Sequence, residues 1–342
     1  QANQTGSLEY AQLAVLAEVE SQNNLPITDV SMLVNGRPAL ARGIVRDRSS
    51  AELRTTFSQQ VALSPGANQV SVIAANSVSK SAPVTVTVTC QAAPPEVVLP
   101  NCYLLAIGIS QYEKQNLNLK YADLDARAFA AAWQNQQGVV YRTVEAKVIT
   151  NDEATVRSIL DAMDWLVKSV TQRDIAVMFI SAHGLRDVRQ NYYLASAEID
   201  PGSLRSTGVR FSEITEMLRD LPCKVLLFAD TCHSGGITGA KAAGWDDPLH
   251  DLVSEEYGAV VFSSSLPREV SLENPAWGHG AFTKALLDAF ASPDSDNDGD
   301  GFLSLTELED QVYRRVKELT EGAQHPVVER PPTIRNFNFY YV

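Results

Sequence analysis

From Asn101 onward the apolar residues gather into four near-continuous runs, "CYLLAIGIS", "DIAVMFISAHG", "KVLLFADTC" and "GAVVFSSS". Each ends in small or polar residues, the pattern of strands buried on both faces of a parallel sheet. The intervening segments read as helices. One places Val156, Ile159, Leu160, Met163, Val167 and Val170 on a helix-spaced stripe. The others are "YADLDARAFAAAWQ", "FSEITEMLRDL" and "GAFTKALLDAF". Strands alternating with helices predict an α/β domain. Upstream the period changes to two: "LAVLAEVES", "DVSMLVNGRPA", "RTTFSQQVALS", "NQVSVIAANS" and "APVTVTVTC" show partial alternation, with turn chemistry in "NGRP" and "SPGAN". Five to seven short strands in about 80 residues predict an immunoglobulin-like β-sandwich. Pro94, Pro95 and Pro100 mark a stiff linker. The expected organisation is a sandwich over residues 1–92, a Pro-rich linker over 93–101 and the α/β domain over 102–342.

Composition narrows the partners. Hydrophobic residues make up 45% of the 342 and charged residues 20%, as in a soluble globular protein. A net charge of -13 argues against nucleic acid or an anionic membrane as the main partner. No apolar run is long enough to span a bilayer. The opening "QANQTGSLEY" lacks the basic and apolar regions of a signal peptide, and a start at Gln reads as that of a processed or excised fragment. Of the four cysteines, Cys223 and Cys232 flank one strand, and nine extended steps of about 3.3 Å put them beyond disulfide reach. Cys90 and Cys102 bracket the linker and are the pair that could meet, which leaves the redox compartment open.

Two of the four apolar runs deliver reactive side chains where an open parallel sheet gathers its ligands, at the carboxyl ends of its strands. "DIAVMFISAHG" ends at His183 and "KVLLFADTC" at Cys232. On neighbouring strands their tips lie about 5 Å apart. A thiolate there attacks a carbonyl, and an imidazole protonates the leaving amine or activates water. Gly184, placed after the strand with a free N–H, and the Cys232 amide are candidate oxyanion donors. Taken singly, a strand-end Cys is a small buried hydrophobe and a loop His a satisfied polar group; at two adjacent strand tips they favour catalysis. His233 is a competing base, although neighbouring side chains in an extended segment point apart.

Asp230 lies two residues before Cys232, so alternation turns both to one side, where a carboxylate pairs with a cationic substrate side chain. "DNDGDGFLSLTE", residues 296–307, matches the EF-hand calcium loop D-x-[DN]-x-[DN]-G-x₅-E at every position. Asp296, Asp298 and Asp300 would ligate through side chains, Phe302 through its carbonyl, Ser304 directly or through water, and Glu307 bidentately. A single loop of this kind is expected to be a structural Ca2+ clip rather than a switch.

"ISAHG" and "FADTCHSGG" resemble the His and Cys motifs of the caspase-like cysteine peptidases. The interval from His183 to Cys232, 232 minus 183 or 49 residues, agrees with the caspase spacing. "DTCHSG" departs from the caspase thiol motif and resembles that of metacaspases and their bacterial relatives, the orthocaspases. "LLAIGISQY", "YADLDA", "WGHGAFTKALL" and "QHPVVERP" add to a resemblance covering about residues 101–342. It implies the caspase–haemoglobinase fold, a mainly parallel six-stranded sheet with flanking helices, and a His183/Cys232 dyad with no obligatory third member. It also implies an acidic S1 pocket selecting Arg or Lys at P1. Asp230 is its chief acid, Asp125 a second acid whose competing reading is a solvated helix position or cap, and Ser181 a wall residue. Ser264 falls where family members pair substrate backbone as an added strand. The family habit of self-cleavage at basic residues points to Lys241, with Arg186 and Arg189, in the loop after His183, as alternatives. The activating calcium site of metacaspases is not this loop.

The sequence thus predicts a cysteine endopeptidase acting on protein or peptide substrates with basic P1 residues, with calcium as its cofactor and no organic one. Two rivals stand beside it: a catalytically inert caspase-like domain serving as a calcium-stabilised binding module, and a peptidase of the legumain or gingipain branch with a different P1 choice. The Gln start and the calcium loop lean towards an extracytoplasmic site. Natural substrate and oligomeric state are not legible.

Overall fold

The computed structural model describes residues 6–8, 12–39, 53–91, 99–233, 259–266, 269, 271–331 and 334–342, with backbone alone for Gly6–Leu8, Gln12, Cys232 and His233. Lys241 therefore lies outside the described residues. The chain divides into two compact units, Gln1–Val98 with Arg219–Pro222, and Leu99–Leu218 with Cys223–Val342.

The described residues of Gln1–Val98 form strands and turns. A five-stranded sheet orders β1 (Gly6–Leu8), β7 (Val84–Cys90), β6 (Gly66–Asn76), β3 (Ile27–Val34) and β4 (Arg37–Pro38). A second, two-stranded sheet pairs β2 (Gln12–Glu20) with β5 (Arg54–Ala62). The inward residues of both sheets close on one core, with Phe57 and Val61 of β5 against Val30, Met32, Val70 and Val88. The "NG" signal between β3 and β4 is used as expected: Asn35 and Gly36 both take positive φ, 52° and 78°, which a two-residue hairpin turn demands.

The second unit is built on an eight-stranded sheet. Its parallel centre consists of β8 (Cys102–Gly108), β9 (Val144–Thr150), β10 (Ile175–Arg186), β13 (Lys224–His233) and β14 (Ala259–Ser263). The order is β9-β8-β10-β13-β14, and β18 (Val327–Glu329) closes that edge antiparallel to β14. These are the six strands the resemblance implied. Two short antiparallel strands, β11 (Tyr192–Ala195) and β12 (Gly208–Arg210), extend the sheet at the far end of β10. β10 is the spine. It borders β8 through Ser181 and β11 from Gly184 onward, so its last turns project beyond the central sheet.

Helices cover both faces: α1 (Ala122–Gln134), α2 (Val156–Ser169), the short α3 (Leu204–Thr207), α4 (Phe211–Asp220), α5 (Ala281–Ala291) and α6 (Leu305–Leu319). In α2 the buried stripe centres on Ile159, Met163 and Leu166, with Val156, Leu160 and Val167 at its edges. On the other face, aromatic side chains carry the packing. Phe129 of α1 stacks on Phe179 of β10 at 4.6 Å, and Phe228 of β13 on Phe262 of β14 at 4.7 Å. Such pairs add about 0.5–1.5 kcal/mol each beyond area burial. Gly108, at the end of β8, lets α1 approach the sheet. A Cβ there would lie 2.1 Å from the Ala122 carbonyl oxygen. That contact brings the first turns of α1 to the carboxyl edge of the sheet.

The cysteines do not pair as the linker spacing had allowed. Cys102 is a free thiol in the core of the second unit, whereas Cys90 belongs to the core of the first.

Candidate active site

β10 and β13 run parallel in unbroken register, pairing Ser181 with Asp230, Ala182 with Thr231, and His183 with Cys232. Residues paired across a parallel ladder lie about 4.8 Å apart and on the same face. Positions 181, 183, 230 and 232 therefore share one face at the carboxyl end of the sheet, and positions 184 and 233 lie on the other. The backbone thus separates His233 from the shared face.

His183 is buried, at 7% exposure. Its Nε2 lies 2.7 Å from the Leu117 carbonyl oxygen. A carbonyl only accepts, so Nε2 carries the proton and the neutral ring keeps its lone pair on Nδ1. Nδ1 is buried and has no partner among the described residues. Burial holds the His183 pKa below the usual value, partly offset by the Leu117 bond, so the ring rests neutral. Tyr112 lies against it with ring centres 5.3 Å apart, and its hydroxyl accepts the His183 amide at 3.1 Å. Both contacts come from the segment between β8 and α1. Beside them opens a polar cleft of about 510 Å³ lined by Ser110, Tyr112, Gln115, Asn118, Lys120 and Asp123. Leu117 was missed in the sequence because a backbone carbonyl leaves no side-chain signature.

Gly184 departs from expectation. β10 does not end at His183 but continues to Arg186, so Gly184 sits inside a strand, with Leu194 on one side and His233 on the other. Its missing side chain makes room for Tyr192, whose hydroxyl would lie 1.6 Å from a Cβ. Arg186 is accordingly the last residue of a strand and half-buried, not a loop residue. Arg189 is exposed in a turn tied by Asp187, whose Oδ1 accepts the amides of Arg189 and Asn191 at 2.8 Å.

The acids converge. Asp230 is 5% exposed; the Ser271 and Ser264 hydroxyls bond its carboxylate, yet Oδ1 is buried with no partner among the described residues. Asp125, 1% exposed, is no solvated helix position. It accepts from His279 Nδ1 at 2.6 Å and from the Gly280 amide at 3.1 Å. A Cβ on Gly280 would meet Asp230 Oδ2 at 2.9 Å and Asp125 Oδ2 at 3.2 Å, so both carboxylates face one small space that only glycine leaves open. Burial, followed by the nearby Asp125 charge, raises the Asp230 pKa to about 7. Burial also raises that of Asp125, opposed by the His279 and Gly280 bonds. Ser181, buried, stands beside Asp230 in the ladder.

Ser264 is not free to pair a substrate strand. It is 1% exposed, its amide donates to the Ala229 carbonyl at 3.0 Å, and its own carbonyl accepts from Gln324 Nε2 at 2.7 Å. Its hydroxyl, 2.5 Å from that of Ser271, faces the Asp230 carboxylate instead. Ser271 carried no signal in the sequence, and His279 and Gln324 fell within "WGHGAFTKALL" and "QHPVVERP" without a role of their own.

The acidic loop lies apart from these residues in the chain. Oxygens of Asp296, Asp298 and Glu307 come within 4.8 Å of one another, a group that could hold a metal ion. Gly301 takes the turn at φ 85°. Asp300 lies outside that cluster, turned to the Phe302 amide at 2.9 Å and Asn338 Nδ2 at 2.6 Å. The Ser304 hydroxyl is occupied as the N-cap of α6, in a capping box with Glu307. β17 (Phe302–Ser304) pairs with β19 (Asn338–Tyr341), which fixes Phe302 beside Tyr341.

The family model for the caspase domain, Peptidase_C14, matches residues 102–338. No curated protein matches the chain. Among solved structures, the chain is similar to the protein GSU0716 from Geobacter sulfurreducens at 16% identity and a TM-score of 0.49, covering 68% of this chain and 98% of that one. It is similar to protein YXIM_BACsu from Bacillus subtilis at 11% identity and a TM-score of 0.24, covering 72% and 63%. Neither likeness bears on function.

Proposed function

The chain belongs to the caspase-domain family, and from that premise we propose that it is a cysteine endopeptidase cleaving after Arg or Lys. The observation that carries the reading is the ladder pairing of His183 with Cys232, two steps beyond a buried carboxylate with an oxygen unpartnered among the described residues. Cys232 is the nucleophile. His183, neutral with its lone pair on Nδ1, takes the thiol proton, and the sulfur attacks the P1 carbonyl carbon. The Leu117 carbonyl, already bound to Nε2–H, stabilises the imidazolium that forms. The amides of Gly184 and Cys232 are the assigned oxyanion donors, and each must turn from its strand neighbours to serve. His183 returns the proton to the leaving amine, then takes one from the water that releases the acyl group.

Asp230 receives the P1 cation, with Asp125 as a second negative charge and Ser181 and Ser264 in the surrounding wall. A cation entering this space satisfies the buried Oδ1 and draws the proton off Asp230. Asp296, Asp298 and Glu307, with the Phe302 carbonyl, are assigned to a structural Ca2+ ion; the tight turn at Gly301 and the strand pairing of Phe302 support the assignment. Reaching the full ligand set would require Asp300 to exchange its present partners for the ion. Self-cleavage is assigned to Lys241 ahead of Arg189, whose tied turn opposes the extended conformation that a protease groove binds.

A panel of fluorogenic peptides varied at P1, run on the wild type and Cys232→Ala with and without calcium, tests this reading. Turnover of Arg and Lys peptides that vanishes in Cys232→Ala is expected. Preference for Asp at P1 would reverse the specificity, and no turnover that depends on Cys232 would leave an inert binding module.

A further inference from the structure

The two buried carboxylates are not equally provided for. Asp230 has hydroxyl partners and one oxygen with no partner among the described residues. Asp125, also buried, has a short bond from the His279 imidazole and one from the Gly280 amide, so each of its oxygens meets an N–H donor. His279 and Gly280 form β16 (His279–Gly280), paired with β15 (Glu273–Asn274). Glu273, opposite Gly280 in that hairpin, accepts the amides of Lys120 and Tyr121 just ahead of α1. The hairpin thereby docks on the start of the helix that carries Asp125. A third carboxylate beside the other two makes retention of charge on Asp125 harder, and only a strong donor compensates.

Resting on the basic-P1 reading above, we propose that His279 is a specificity-determining residue of this pocket: it holds Asp125 as the resident anion, which is what lets the pocket prefer a positive side chain to a neutral one of the same shape. His279 does not touch the scissile bond and is not assigned to the chemistry. Its ring presents Nδ1 to Asp125 Oδ1, and the side chain as a whole is 22% exposed. Without that donor, Asp125 would take up a proton in its buried site and the pocket would lose a standing negative charge.

The test compares peptides with Arg and with citrulline at P1, equal in shape and different in charge. Wild type, His279→Phe, His279→Ala and His279→Asn are assayed. Phe keeps ring volume with no donor, Ala removes both, and Asn restores an N–H near the Nδ1 position. The Arg-to-citrulline ratio of kcat/KM is expected to fall about tenfold or more in the Phe and Ala variants, chiefly through KM for the Arg peptide. It should stay within about threefold of wild type in the Asn variant. If Ala fails to fold, the Phe–Asn pair carries the comparison. Unchanged ratios in Phe and Ala overturn the inference, as does an Asn variant that falls as far as they do. A wild-type ratio near one sinks the basic-P1 reading itself, a separate result from failure of the His279 variants alone.

Discussion

Replacing Asp230 with Asn should strengthen the fold while weakening the pocket. The native carboxyl titrates near pH 7, against an ordinary value of 3.8, because burial and the Asp125 charge disfavour its ionised form. The proton therefore binds more tightly in the folded state. Below about pH 4 both states hold it and no cost arises. As pH rises from 4 to 7 the unfolded chain releases it and the folded chain does not, so stability falls through that window and levels off above it. Full ionisation corresponds to about 4 kcal/mol on this scale, and relaxation of the site brings the expected penalty to about 2–4 kcal/mol. Asn keeps the shape and the hydroxyl partners and carries no charge. In a Cys232→Ala background, where self-cleavage is absent, Asp230→Asn should match its parent at pH 4 and exceed it by roughly 5–10 °C in Tm at pH 8. Calorimetric scans at the two pH values measure the gap. A gap of the same size at both pH values, or a parent that is more stable at pH 8, would refute the account of Asp230 as a buried carboxyl held against its own ionisation.

Other outcomes follow from the same geometry. Because ionised Asp230 adds its charge to that of Asp125, KM for Arg-P1 peptides should rise as pH falls below about 7, by less than the tenfold per unit of a lone carboxylate, with kcat less affected; steady-state kinetics from pH 5.5 to 8 check this, and a flat KM opposes it. Tyr112→Phe removes the acceptor of the His183 amide, and kcat should drop about three- to tenfold while KM is held. Millimolar calcium should raise Tm, by about 2.7 kcal/mol of stabilisation at a hundred times Kd. Glu307→Gln, which keeps an oxygen for the α6 cap, should abolish the rise, as thermal unfolding with and without the ion will show.

The elements were legible wherever one period dominates. The apolar runs that became β8, β10, β13 and β14 are buried on both faces, and a chain segment with no polar side has few alternatives to a central strand. The alternating segments likewise became β2, β3, β5, β6 and β7. β9 passed unnoticed: "VEAKVIT" alternates like an edge strand, and it is one. β11 and β12, four and three residues long, leave too little periodicity to detect. At the site, residues announced by their own chemistry and spacing (His183, Cys232, Asp230) could be named from the chain alone. Leu117 acts through a carbonyl, and His279 depends on a contact with Asp125 across 154 positions. Neither role leaves a local mark. Ser264 illustrates the opposite failure, a position assigned by analogy whose backbone is already spent inside the protein.

The ladder between β10 and β13 acts as a ruler for the putting together of thiol and imidazole. Because the two are matched rung for rung, insertions and deletions in the hairpin and helices between Arg186 and Lys224 leave their alignment untouched. A single residue lost from within either strand upstream of its reactive group would set Cys232 opposite a neighbour of His183 and turn one of the two to the wrong face. Natural and engineered length variation should therefore be tolerated in the connections and lethal to turnover in the rungs.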